Sequence, residues 1–140
     1  MPIETTITAS SAGPNWLAIV AAAIAFYAVG AVIYGGLSKL WMQLSGYTKE
    51  QLKPHTWRMA ISPIMPIFTA IGLAFLFKLA GVTTLMGGIE LAILIWFFLI
   101  LSTRLYSFVY SPERPGLLLM DSIHLLLGYL AAGAILGAWQ

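Results

Sequence analysis

No charged residue separates Glu4 from Lys39, and within that interval Trp16 to Leu37 is an apolar run longer than the roughly 20 residues a helix needs to cross a bilayer. Three further apolar blocks follow, each separated from the next by a short polar stretch. A chain of 140 residues with 60% apolar and 9% charged content could not cover such blocks with a polar surface, since soluble domains carry about 25% charged residues. The expected fold is therefore all-α, an integral membrane bundle of four transmembrane helices. Its spans are placed at about 16–42, 58–80, 84–109 and 116–139, in a single domain over 15–140 that follows a flexible tail over 1–14. The tail carries Glu4 as its only charge and lacks the basic start of a secretory signal, so it is expected to be retained.

The connections carry their own punctuation. The first is the polar stretch LSGYTKEQLKPHTW, the second the tight turn AGVTT, and the third SPERPG. Gly81 suits a helix C-cap, Thr83 or Thr84 an N-cap, and Pro112, Pro115 and Gly116 end one helix and start the next. Six of the seven basic residues, Lys39, Lys49, Lys53, Arg58, Arg104 and Arg114, gather toward the first and third connections, which leaves Lys78 at the other end. By the positive-inside rule both termini face the outer side. Trp16, Trp41, Trp57 and Trp139 fall near the predicted interfaces, where an amphipathic ring is favoured.

Small residues indicate where helices can approach closely, because lipid supplies no hydrophobic drive for their association. Ala21, Ala25, Ala28 and Gly35 recur at near-helical spacing in the first span, and Gly133 and Gly137 form a GxxxG pair in the fourth. These faces serve either internal packing or a contact between copies. In the second span, Pro63 and Pro66 each remove an amide donor and release the carbonyl four residues earlier, at Met59 and Ser62. Two readings stand open. Ser62 caps a helix that begins at Pro63, or the helix kinks and its released carbonyls line a cavity.

Four ionisable residues fall inside or at the edges of the last two spans: Glu90, Arg104, Asp121 and His124. A charge at the bilayer centre costs about 2.5 to 3.5 kcal/mol on insertion scales, so each needs a partner or water. A hairpin tip near Pro112 puts Arg104 and Asp121 at similar depth on antiparallel neighbours, which makes them the first expected ion pair. His124 lies one turn beyond Asp121 on the same face, where Asp121 can orient its imidazole. Glu90, Phe97 and Arg104 recur every seven residues and are expected to share a face. The four polar residues are either a clip that fixes the bundle or a titratable path running Glu90, His124, Asp121, Arg104.

Other chemistries are excluded. The chain has no cysteine, and hence no disulfide, thiolate metal site or thiol nucleophile. His55 lies in the first connection and His124 in the last span, which does not suit two-histidine haem ligation, and no third ligand converges for zinc. Phosphate-loop, GxSxG and HExxH motifs are absent, and Ser122 points away from Asp121 and His124 on a helix. A net charge of +2 gives no reason to expect nucleic acid as a partner. No catalytic, metal or cofactor site is expected.

Taken together, NWLAIVAAAIAFYAVGAVIYGGLSKLWMQLSGYT, TTLMGG before the third span and RPGLLLMDSIHLLLG before and within the fourth resemble the 1761 domain-of-unknown-function family of small bacterial membrane proteins. The resemblance covers about Asn15 to Trp139 and rests on Asn15-Trp16, Tyr34, Trp41-Met42 before Gly46, and His124. Where the family has a tyrosine-serine-proline turn, Tyr34 is followed here by Gly35 and Gly36. The resemblance implies four membrane helices in a bacterial cytoplasmic membrane, with no catalytic residue to carry over. The expected role is a non-enzymatic structural or accessory subunit, or a homo-oligomer, with the bilayer and other membrane proteins as partners. The alternative is a small proton-linked channel or transporter using Glu90, His124 and Asp121.

Overall fold

The computed structural model describes residues 13–111 and 113–139, so most of the expected tail over 1–14 lies outside the described residues. Among the described residues every regular element is helical, and four stretches are long and apolar enough to cross a membrane: Trp16–Gly36, Trp57–Ala80, Leu85–Tyr110 and Pro115–Ala138. The first is a single helix, α1 (Trp16–Gly36), begun by Asn15, whose side-chain oxygen accepts from the Ala18 amide at 3.1 Å. The Asn15 amide group also donates to the Trp139 carbonyl at 3.4 Å, which ties the start of α1 to the far end of the last helix.

The first apolar helix stops at Gly36, and Leu37 leaves helical geometry at φ −110°, ψ 25°. A separate helix, α2 (Ser38–Ser45), follows, closed by Gly46 at φ +78°, a left-handed conformation that costs glycine nothing. The connection continues through α3 (Lys49–Leu52), a 3₁₀ turn at Lys53–His55 and α4 (Trp57–Ile61). The Thr48 hydroxyl and the Gln51 side chain each accept from the other residue's amide, which starts α3 with a capping box.

Between α4 and α5 (Ile64–Ala80) the helix is interrupted at Ser62 and Pro63. Ser62 does not cap α5. Its hydroxyl donates to the Met59 carbonyl at 2.8 Å, the very acceptor that Pro63 released. The Ser62 carbonyl, released by Pro66, accepts instead from the Met65 amide at 3.3 Å. Both released carbonyls are thus satisfied within the segment, and Pro66 is buried. The helix is interrupted at Pro63, whereas Pro66 is accommodated in the first turn of α5, because local donors take up the lost bonds.

Gly81 at φ +70° closes α5, and the Thr84 hydroxyl, accepting from the Gly87 amide at 3.0 Å, opens α6 (Leu85–Ile95). A π-helical segment, Trp96–Leu101, connects α6 to α7 (Ser102–Tyr110). Pro115 then stands in the first turn of α8 (Pro115–Ala138), where its missing amide removes no intrahelical bond.

The four spans do not form a square bundle. Helix α8 is the centre, packed along α1 on one side and α6 on the other, while α5 packs mainly on α1. The α1–α8 interface is built of Ala18, Ala22, Phe26, Ala132 and Leu136, with Ala70, Leu73 and Phe77 of α5 completing the core. The alanine stripe of α1 that packs is therefore Ala18, Ala22 and Ala23. The expected Ala21, Ala25 and Ala28 lie one residue, or about 100°, around the helix: Ala21 and Ala25 are half-buried, and Ala28 is exposed. Gly35 is exposed, and no atom lies close to it that a side chain would meet.

Gly133 and Gly137 are buried between α8 and α6 inside the chain. A Cβ on Gly88 of α6 would lie 2.2 Å from the Gly133 carbonyl oxygen, and one on Gly137 would lie 2.4 Å from the Thr84 carbonyl oxygen. The glycines bring two helix backbones into contact, so this GxxxG pair serves internal packing.

Candidate functional site

Four polar residues of the spans, Tyr34, Arg104, Asp121 and His124, converge at one end of the molecule. Tyr34 stands two residues before the end of α1, Arg104 six before the end of α7, and Asp121 six after the start of α8. At 1.5 Å per residue, Arg104 and Asp121 each lie about 9 Å from the end of their helices, at a common depth. Arg104 Nη2 donates to Asp121 Oδ2 at 2.9 Å and to Glu113 Oε1 at 2.9 Å, so one nitrogen bridges two carboxylates. The side chains of Arg104 and Asp121 are 24% and 23% exposed, sheltered enough for the charges to need each other.

Asp121 does not hold His124 directly. The Tyr34 hydroxyl stands between them, donating to Asp121 Oδ1 at 2.5 Å and lying 3.3 Å from His124 Nδ1. With the phenolic proton given to the carboxylate, Nδ1–H of a neutral imidazole can donate to the phenolic oxygen. The result is a continuous chain, His124 to Tyr34 to Asp121 to Arg104 to Glu113, that joins α1, α7, α8 and the last turn. An open cleft of about 220 Å³ adjoins it, lined by Tyr34, Arg104, Asp121, His124 and Leu125.

Backbone choices make room for this chain. A Cβ at Gly30 would lie 2.9 Å from His124 Nε2, so the imidazole occupies the space that a side chain on α1 would fill. Phe26 crosses the His124 ring edge-on at 5.9 Å between centroids and fits over Gly128, where a Cβ would come within 2.8 Å of its ring. Beyond Phe26, whose ring also meets Tyr129 at 5.4 Å, the buried residues of α1 and α8 are mainly apolar, among them Ala18, Ala22, Ala132 and Leu136. The polar chain ends at His124.

The π segment brings Arg104 into the group. In an unbroken α-helix, Arg104 would stand about 120° around from the buried Ala92, at about 100° per residue over twelve residues. A π turn holds roughly one extra residue, which turns the following helix back by about 100° and points Arg104 toward α8. Trp96, the first residue of the segment, anchors it by donating from Nε1 to the Ser122 carbonyl at 2.9 Å. The same rotation separates Arg104 from Glu90. The expected shared face of Glu90, Phe97 and Arg104 does not form: Glu90 and Phe97 are exposed, whereas Arg104 faces inward.

Of the four residues expected to act together, three therefore meet: Arg104, Asp121 and His124. Glu90 is not among them. Two members lie outside the expected group. Glu113 reads in the sequence as an ordinary turn charge, and only its place nine residues after Arg104, beside the helix it returns along, hints at its role. Tyr34 enters the sequence reading only as one of the residues that carry the family resemblance, and with the first span expected to run to 42 nothing there pairs it with Asp121. Ser122 is buried and makes no hydrogen bond to Asp121 or His124, and no group of three metal-ligating side chains forms among the described residues.

No curated protein and no solved structure matches the chain. The family described as "Protein of unknown function (DUF1761)" matches residues 17–137, nearly the whole chain, and the protein belongs to it. This is the family expected from the sequence, and the multi-pass helical architecture accords with it.

Proposed function

From membership in a family with no assigned activity, and from the geometry of this site, we propose that the protein is a non-enzymatic structural or accessory subunit of a bacterial cytoplasmic membrane. Its termini face outward and its basic connections inward, in keeping with the positive-inside rule. The polar chain is the clip that fixes the helices at the inner end. What carries this reading is the double engagement of Arg104 Nη2 with Asp121 and Glu113 in a group that borders an apolar core at His124. A conduction path needs polar groups or water on both sides of the bilayer centre. Here Glu90 stands exposed on another face, and Phe26 packs edge-on against His124 between it and the apolar core.

Reconstituted in liposomes under an imposed pH gradient, the wild-type protein should carry no proton flux above empty vesicles. A flux abolished by Asp121→Asn in a folded protein would overturn the clip reading and favour a proton-linked channel. The clip also predicts a graded rescue. Arg104→Asp and Asp121→Arg should each destabilise the protein strongly, as breaking a sheltered pair does. Their combination should recover only part of the loss, because the carboxylate then at position 104 would face Glu113. Adding Glu113→Gln should recover more, as read by thermal unfolding in detergent.

A further inference from the structure

The connection between the first two spans is built unlike the rest of the chain. Helices α2, α3 and α4 and the 3₁₀ turn contain no buried residue. Tyr47 in the polar part of the connection, and Trp57 and Met59 where the second span begins, are exposed by 54%, 57% and 74%. Four cations accompany these apolar groups, Lys39, Lys49, Lys53 and Arg58, against the single acid Glu50. The aromatic rings are arranged with the charges rather than away from them. Trp41 stacks on Tyr47 with centroids 6.2 Å apart, and the Arg58 guanidinium lies 5.6 Å from the centre of the Trp57 ring.

This stretch is also fastened to the bundle. Arg114, just before α8, donates through Nη1 to the Gln43 carbonyl near the end of α2, and Leu44 rests where a side chain at Gly116 would stand. One end continues from α1 and the other leads into α5, so the connection is held at the level where spans leave the hydrocarbon. Exposed indole and aliphatic groups at that level favour the boundary of acyl chain and headgroup, with lysine and arginine reaching toward phosphate.

We propose that this connection, Lys39 to Arg58, is a docking surface for anionic phospholipid headgroups. The apolar groups set its depth and the excess of three cations sets its preference for negative over zwitterionic lipid. The surface does not depend on the role of the Arg104 clip, which none of its residues joins.

The test uses the full chain in liposomes with Trp16, Trp96 and Trp139 replaced by phenylalanine, so that only Trp41 and Trp57 of the surface report. Quenching of the remaining tryptophans by brominated phosphatidylglycerol is compared with quenching by brominated phosphatidylcholine of the same chain length. The wild-type surface should favour phosphatidylglycerol by at least about fivefold, the bias that one engaged cation supplies. Replacing Lys39, Lys49, Lys53 and Arg58 together by glutamine should bring the ratio close to one, while replacing the three lysines by arginine should preserve it. Salt at 1 M, where charges are screened within about 3 Å, should also remove the preference of the unaltered surface, a readout that needs no variant to fold. Equal quenching by the two lipids at low salt would overturn the proposal and point to an acidic protein as the occupant. A preference that survives either the glutamine variant or high salt would overturn it too.

Discussion

A Cβ at Gly88 would stand 2.2 Å from the Gly133 carbonyl oxygen and 2.9 Å from the Gly137 Cα. Carbon and carbonyl oxygen normally approach no closer than about 3.3 Å, so Gly88→Ala must part α6 from α8 by about 1 Å. Neither obstacle can rotate away, since both are backbone atoms. A gap of 0.5 to 1 Å forfeits roughly a quarter to a half of the attraction at each contact it opens. Close backbone contacts of the C–H···O kind add about 0.5 to 1 kcal/mol each. Overpacking of this type costs about 1 to 3 kcal/mol, and the upper half of that range applies here because the obstacles are backbone atoms of the helix on which α6 chiefly packs. The matched control is Gly72→Ala in α5, where nothing lies within 4 Å and the helix should gain roughly 0.5 to 1 kcal/mol. Both variants are compared with wild type by reversible denaturant unfolding in mixed micelles, followed by tryptophan fluorescence. A Gly88→Ala protein as stable as Gly72→Ala would refute the backbone contact between α6 and α8.

Gly30→Ala should evict the His124 imidazole from its place against α1 and break its contact with Tyr34; the ring resonances of His124 should shift, with a loss of about 1 to 2 kcal/mol. Tyr34→Phe removes a hydrogen bond to a charged, partly sheltered carboxylate and should cost about 1 to 2 kcal/mol by thermal unfolding, whereas Tyr34→Leu should cost more by also removing the ring that packs edge-on to His124. Glu90→Gln should change stability by no more than about 0.5 kcal/mol, because the carboxylate is exposed and outside the polar chain; a loss comparable to that of Asp121→Asn would place it inside.

Much of this architecture is legible in composition and punctuation. Apolar runs of spanning length can only be helices, since lipid offers backbone groups no other partners, and Gly81 and Thr84 mark their ends by the conformations and hydrogen bonds those ends demand. The meeting of Arg104 with Asp121 also follows from the sequence, because a short turn between antiparallel helices puts equal distances from the tip at equal depth. Facing is another matter. A shared face for Glu90 and Arg104 requires an unbroken 3.6-residue period between them, and the π segment at Trp96–Leu101 changes it. No local preference announces that segment; it is fastened by Trp96 to a carbonyl on another helix. The alanine face of α1 differs from the expected one by a single position for a related reason. A stripe in a helix that is apolar all round has no polar side to fix its direction, so only the packing against α8 chooses Ala18, Ala22 and Ala23.

The number of helices, the level of the charges and the end at which the basic residues gather can be read along one chain, because they depend on length, hydropathy and counting. That Tyr34 separates Asp121 from His124, that Glu113 shares Arg104, and that the glycines of α8 face α6 within the same molecule emerge only once the helices are packed. Each of those is a relation between atoms on separate elements of the chain. It depends on rotation about a helix axis, and about 100° per residue is enough to move a side chain from a buried contact to the lipid.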